Sequence, residues 1–344
     1  MSKSFKKNHS PDKLSPIGMS VGAGLGVGLL GALLLALRSG WKNPLRSPLS
    51  EAISPAVFAT RVLNTSSGEI VYHTSGEGEP LLFLHGVFPG ASSFEWSKVY
   101  PHFAPNYQVL VPDLIGFGES QRPRPAISAH AQTRSLAEFL EATTKGKPVT
   151  IIASGLSANL ALLLSASYPN KVVRLLLWMP LLAIKGTKSP FPLAGTYSLS
   201  WFPPLARLVY HRQLSTEASI RNWLIRSHFP SEDPSFEEIL TVLTSTAQQY
   251  GTEHAFLAQS SRKFWRSLPA RLTTITAPIA LLVAQESNRQ TTETITSLRP
   301  LAHRFSITEV ESPGFLAPLA NPSSLITAIE REVGIQIPSF GGRI

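Results

Sequence analysis

Apolar positions along the chain fall into three regimes: a continuous run near the start, short runs alternating with amphipathic stretches from about 56, and a helix-period insert near 186–270. The alternating regime predicts strands at 57–63, 69–73, 80–85, 108–112, 148–153, 173–179, 278–284 and 304–310. Several are almost purely apolar, such as Val172–Trp178, broken only by Arg174. Runs of that kind suit parallel strands buried on both faces. Helices are predicted at about 91–103, 128–144, 156–168, 291–298 and 322–333, the last opened by Asn321-Pro322 with proline at the first helical position. The fold class is therefore α/β, with a mostly parallel eight-stranded sheet covered by helices. In the insert, Pro190, Pro192, Pro203 and Pro204 precede helical periods at about 216–228, 235–249 and 253–267. Its aromatics, among them Trp201, Phe202, Trp223, Phe256, Phe264 and Trp265, read mainly as packing, with one or two left to line a pocket.

The first regime, Ile17–Leu37, is 21 residues without a charge. At 1.5 Å per residue it spans roughly 32 Å, matching a hydrocarbon core of about 30 Å. The residues after it, Arg38-Ser39-Gly40-Trp41, offer no good signal-peptidase site. The reading is a basic arm over 1–16, an uncleaved single-pass transmembrane helix over 17–37, and a proline-containing linker over 38–55. Four lysines precede the run and three basic residues follow it, which favours a cytoplasmic N-terminus. Gly18, Gly22 and Gly26, like Gly24 and Gly28, recur every four residues. That spacing permits homodimer packing in the membrane, and equally reflects the tolerance of membrane helices for glycine.

Charge adds little beyond the arm. The net charge is +9, and residues 1–50 hold seven basic groups against Asp12, or +6, leaving +3 for the rest. No basic stripe argues for nucleic acid. There are no cysteines, so disulfides, thiolate metal sites and a cysteine nucleophile are excluded. No metal or cofactor motif stands out.

Four segments carry a recognisable pattern: LLFLHGVFPG at 81–90, VPDLIGFGES at 111–120, VTIIASGLSANLAL at 149–162 and SPGFLAPLANP at 312–322. Together they resemble the α/β-hydrolase superfamily, in its capped esterase, lipase and haloperoxidase-like branch. The resemblance implies a core in two parts, 56–185 and 271–344, and a helical cap at 186–270. It also implies a nucleophile on a G-x-S-x-G elbow, an acid after the strand at 278–284, and a histidine in the last segment.

The slots are filled otherwise. The elbow reads Ala153-Ser154-Gly155-Leu156-Ser157, so Gly155 stands at the nucleophile position. The acid slot counts to Ser287, with Glu286 one residue away, and Phe315 stands at the histidine position. The sole histidine after His254 is His303, which precedes the strand at 304–310 by sequence and so falls at the far end from Phe315. His130, His211, His228 and His254 remain remote candidates. The turn His85-Gly86-Val87-Phe88 and the Leu156 N–H match the family's oxyanion donors, and Asp113 with Gly116, Gly118 and Ser120 matches a scaffold turn. Two readings stay open. One is a membrane-anchored family member that does not hydrolyse through a triad and binds a small apolar ligand or a protein partner. The other is an ester or lipid hydrolase using Ser157 or Ser154, with Glu286 as an alternative acid.

Overall fold

The computed structural model describes residues 58–182, 203–261, 264–285, 305–312 and 314–334. The run 17–37, the linker 38–55, Glu286, Ser287, His303, the helix predicted at 291–298 and the start of the cap at 186–202 lie outside them. Among the described residues no helix is long and apolar enough to cross a membrane.

Eight strands form one sheet: β1 (Ala59–Thr65), β2 (Gly68–Ser75), β3 (Glu79–Leu84), β4 (Tyr107–Pro112), β5 (Val149–Ser154), β6 (Val172–Trp178), β7 (Ile279–Ala284) and β8 (Phe305–Val310). Their spatial order is β1-β2-β4-β3-β5-β6-β7-β8. The pairs β1–β2 and β2–β4 are antiparallel, and the remaining pairs are parallel. Alternation along each strand divides the core in two. Leu82, Leu84, Ile151, Ala153, Leu175, Leu177, Leu281 and Val283 face one way. Leu81, Phe83, Ile152, Leu176, Trp178, Ala280 and Leu282 face the other.

The first face is covered by α1 (Ala129–Thr144) and α2 (Ser157–Ser167). Helix α1 starts where the Ser128 hydroxyl accepts from the Ala131 N–H, and stops at Lys145, whose φ of 53° is left-handed. Helix α2 is apolar around its circumference, as a helix buried on all sides must be. The cap supplies α3 (Pro203–Val209), α4 (Glu217–Arg226), α5 (Phe236–Ala247) and α6 (Thr252–Gln259). The second face is covered by α7 (Pro322–Gly334) and by two short 3₁₀ turns, Ser93–Trp96 and Tyr100–Phe103.

Those two turns replace the single helix expected over 91–103. Ser92 caps the first turn, and Pro101, which has no N–H to donate, sits near the start of the second. Helix α3 lies before the helical periods read from the sequence, and Pro203-Pro204 opens it, proline being well tolerated at a helix start.

Candidate functional site

The parallel strands end together at one rim, where α/β sheets place their ligands. At that rim β5 leads into Gly155, which has φ +54°, before α2 begins. The Gly155 N–H donates to the Trp178 carbonyl at 3.0 Å, and the Gly155 carbonyl accepts from Leu181 at 3.0 Å and Ala158 at 3.3 Å. The turn thus keeps its sharp, left-handed shape with no side chain on it. An L-residue in that region costs about 1–2 kcal/mol, which glycine avoids.

The volume above Gly155 belongs to Phe315. A Cβ on Gly155 would lie 2.9 Å from Phe315 Cε2 and 3.0 Å from Cζ. The ring therefore stands where a nucleophilic side chain would begin, and the two positions singled out from the sequence are in contact. The Phe315 carbonyl accepts from Trp178 Nε1 at 2.7 Å. Its ring meets Phe88 edge-on at 6.0 Å between centroids, and Phe88 stacks on Trp223 of α4 at 4.8 Å. Gly314 lies so close to the cap that an added Cβ would be 2.6 Å from the Ser227 carbonyl. Core and cap are joined by these rings over the elbow.

The His85-Gly86 turn borders the same volume. His85 is fully buried, with Nε2 accepting from the Leu114 N–H at 3.0 Å and Nδ1 directed at the Gly86 carbonyl at 2.7 Å. That pattern assigns the neutral ring with its proton on Nδ1. Burial lowers its pKa, against the attraction of Asp113. Both nitrogens are occupied, so His85 braces the turn to the β4 end. Val87 and Phe88 are buried beyond it, and Leu156 is buried at the start of α2.

The two serines of the elbow are also buried. The Ser157 hydroxyl donates to the His85 carbonyl at 2.5 Å, tying α2 to the turn. Ser154 lies below the elbow, where its hydroxyl acts on Glu95 without meeting hydrogen-bond geometry. Neither serine has a histidine partner among the described hydrogen bonds.

Glu95 is the site residue that sequence reasoning missed. It is 1% exposed, and its Oε2 accepts from the Gly86 N–H at 2.5 Å. One donor of the oxyanion-type turn is therefore already engaged. Burial pushes the Glu95 carboxyl up to about 7, although the Ser154 hydroxyl and the Gly86 N–H both pull it down. The available signal was slight: an acid flanked by two aromatics in Phe94-Glu95-Trp96, with Lys98 three positions on.

Asp113 serves the scaffold. Oδ1 accepts from the Ser93 N–H at 2.6 Å and Oδ2 from the Glu119 N–H at 2.7 Å. Its backbone carbonyl accepts from Ser120 Oγ at 2.7 Å. Gly118 has φ +50° and packs against this carboxylate so closely that a Cβ would overlap it. The cap histidines lie elsewhere: His211 and His254 are 3.8 and 3.5 Å from the buried Glu253, which also pairs with Arg207 at 3.1 Å. Among the described residues no group of three or more histidines and acids is arranged for a metal ion.

With this geometry in hand, similarity to known proteins is informative. A family model described as "Alpha/beta hydrolase family" matches residues 81–319. A 2-hydroxy-6-oxo-6-(2'-aminophenyl)hexa-2,4-dienoic acid hydrolase of Metapseudomonas resinovorans is 28% identical over 123 residues, 36% of this chain and 42% of that one. The chain thus spans less than half the length of the curated relatives it matches. A solved 2-hydroxy-6-oxo-6-phenylhexa-2,4-dienoate hydrolase from Rhodococcus sp. strain RHA1 superposes with a TM-score of 0.66 at 17% identity, covering 81% of this chain and 99% of its own. A membrane phospholipase A superposes with a TM-score of 0.64 at 21% identity, covering 92% and 97%.

Proposed function

The chain belongs to the alpha/beta hydrolase family, and from that premise we propose that it is a member which does not hydrolyse through a triad and whose capped pocket serves binding. The observation that carries the reading is the contact between Gly155 and Phe315: a Cβ at the nucleophile position would sit 2.9 Å from a phenyl ring at the histidine position. A hydroxyl and an imidazole are each worth several orders of magnitude in a serine hydrolase, and loss of either removes roughly six orders of rate. The similar proteins named above include hydrolases of dienoic acids, and the substitutions at Gly155 and Phe315 argue against the same reaction here.

The proposed ligand is small and apolar, matching the rings of Phe88, Trp223 and Phe315. The same surface could alternatively receive a protein partner. The proposal includes anchoring of the family domain to a membrane through residues 17–37, with the N-terminus cytoplasmic. Deleting 17–37 is expected to move the protein from the alkali-resistant membrane fraction to the supernatant.

The central test is a fluorophosphonate probe on the full chain. No labelling of any elbow serine is the expected result. Robust labelling of Ser154 or Ser157, abolished by alanine at that position, would overturn the reading in favour of an ester or lipid hydrolase.

A further inference from the structure

Glu95 and Phe315 crowd a single point. A side chain at Gly86 would begin 3.2 Å from Phe315 Cζ, 3.2 Å from Phe88 Cε1 and 3.3 Å from Glu95 Oε2. The carboxyl and the two rings therefore border one small volume beside the elbow. Oε2 is satisfied by the Gly86 N–H. Oε1 and Ser154 Oγ are both buried, and the Ser154 hydroxyl acts on the carboxyl without reaching hydrogen-bond geometry among the described residues. A carboxyl in that position is tolerated while neutral, but once ionised it needs a cation, more donors or water. Among the described residues no cation acts on it. The two rings crowd that volume, so water entering there displaces a ring.

We propose that Glu95 and Phe315 form a proton-controlled plug. While Glu95 holds its proton, the phenyl ring stays packed against Gly86 and Gly155. When the proton leaves for bulk solvent, water drawn to the carboxylate displaces the ring and opens the pocket floor to a small apolar ligand. No covalent bond to carbon is made or broken. This deepens the binding reading given above and rests on it.

The titratable neighbours support the assignment to Glu95. His85, on the adjoining turn, has both nitrogens engaged and is held neutral by burial. Asp113 reaches the Glu95 turn through the Ser93 N–H and is committed there. His228 lies in the cap beside Gly314, on the far side of the Phe315 segment. Because burial raises the carboxyl to about 7, the plug is closed below neutrality and opens above it.

The test titrates the full chain with a solvatochromic apolar dye, from mildly acid to mildly alkaline pH. Dye fluorescence of the wild type is expected to rise several-fold with a midpoint near pH 7. In Glu95→Gln, which keeps an acceptor for Gly86 and cannot ionise, it should stay low throughout. In Phe315→Ala it should be high throughout. Dye taken up by other apolar surface is common to all three proteins. A rise in Glu95→Gln equal to that of the wild type, or a flat wild-type profile, would overturn the plug. If Glu95→Gln does not fold, the infrared carbonyl band of a neutral buried carboxyl decides on the wild type alone: its loss in step with dye uptake supports the plug, and uptake without that loss overturns it. Fluorophosphonate labelling together with Glu95-dependent uptake would instead remove the non-hydrolytic reading and leave the plug standing.

Discussion

Two turns at the same rim of the sheet have kept different things. The turn after β4 retains its polar residue: Asp113 accepts two backbone N–H groups and abuts Gly118, with every contact made inside the scaffold. The turn after β5 retains only its shape: Gly155 keeps φ +54° and its backbone hydrogen bonds, and the space above it is filled by a phenyl ring. The difference teaches what holds a residue in place. A buried backbone N–H needs an acceptor, so the side chain that supplies it is tied to folding. A nucleophile meets its substrate instead, and no backbone group depends on it for an acceptor.

The sharpest way to break this comparison is Asp113→Ala. It strands one buried and one part-buried N–H group that now have acceptors, and a loss of about 2–4 kcal/mol is expected in denaturant unfolding. A loss below about 1 kcal/mol would mean the two turns do not differ in kind. Next comes pH. The Glu95 carboxyl has its folded-state value raised from 4.5 to about 7. Its stabilising contribution is fully present below about 4.5 and is lost as pH rises through 7, a swing of about 3 kcal/mol that Glu95→Gln should abolish. Unfolding curves of both proteins across that window measure it.

Gly155→Ser is expected to destabilise by about 2 kcal/mol, from left-handed strain and the clash with Phe315. Adding Phe315→Ala should recover the clash part, seen as coupling in a double-mutant cycle. Additive losses would show that the ring does not press on the elbow. The smallest effect belongs to Ser157→Ala, which removes one hydrogen bond to the His85 carbonyl and should cost about 1 kcal/mol. It should leave fluorophosphonate labelling unchanged.

Much of the frame was legible in sequence. The strand positions follow from apolar runs bounded by turn residues, and β5 and β6 fall within a residue or so of expectation. The pairing of Gly155 with Phe315 was legible because both sit in motifs whose spacing the fold constrains. The two 3₁₀ turns were hidden because their period over 91–103 resembles a helix, while Pro101 forbids its continuation. Glu95 was hidden for a deeper reason. An acid in Phe94-Glu95-Trp96 looks like an ordinary surface charge, and only the packing of that turn under Gly86 reveals that it is buried. The hydroxyls of Ser154 and Ser157 were equally ambiguous until backbone geometry directed one below the elbow and the other to the His85 carbonyl.

The ring that fills the cleft is made well after the elbow it covers. Gly155 leaves the ribosome 160 residues before Phe315, which at 5–20 residues per second is roughly 10–30 s. Throughout that interval Gly155 lacks the ring that packs against it. A chain cut short before position 315 therefore carries an elbow that this ring never covers.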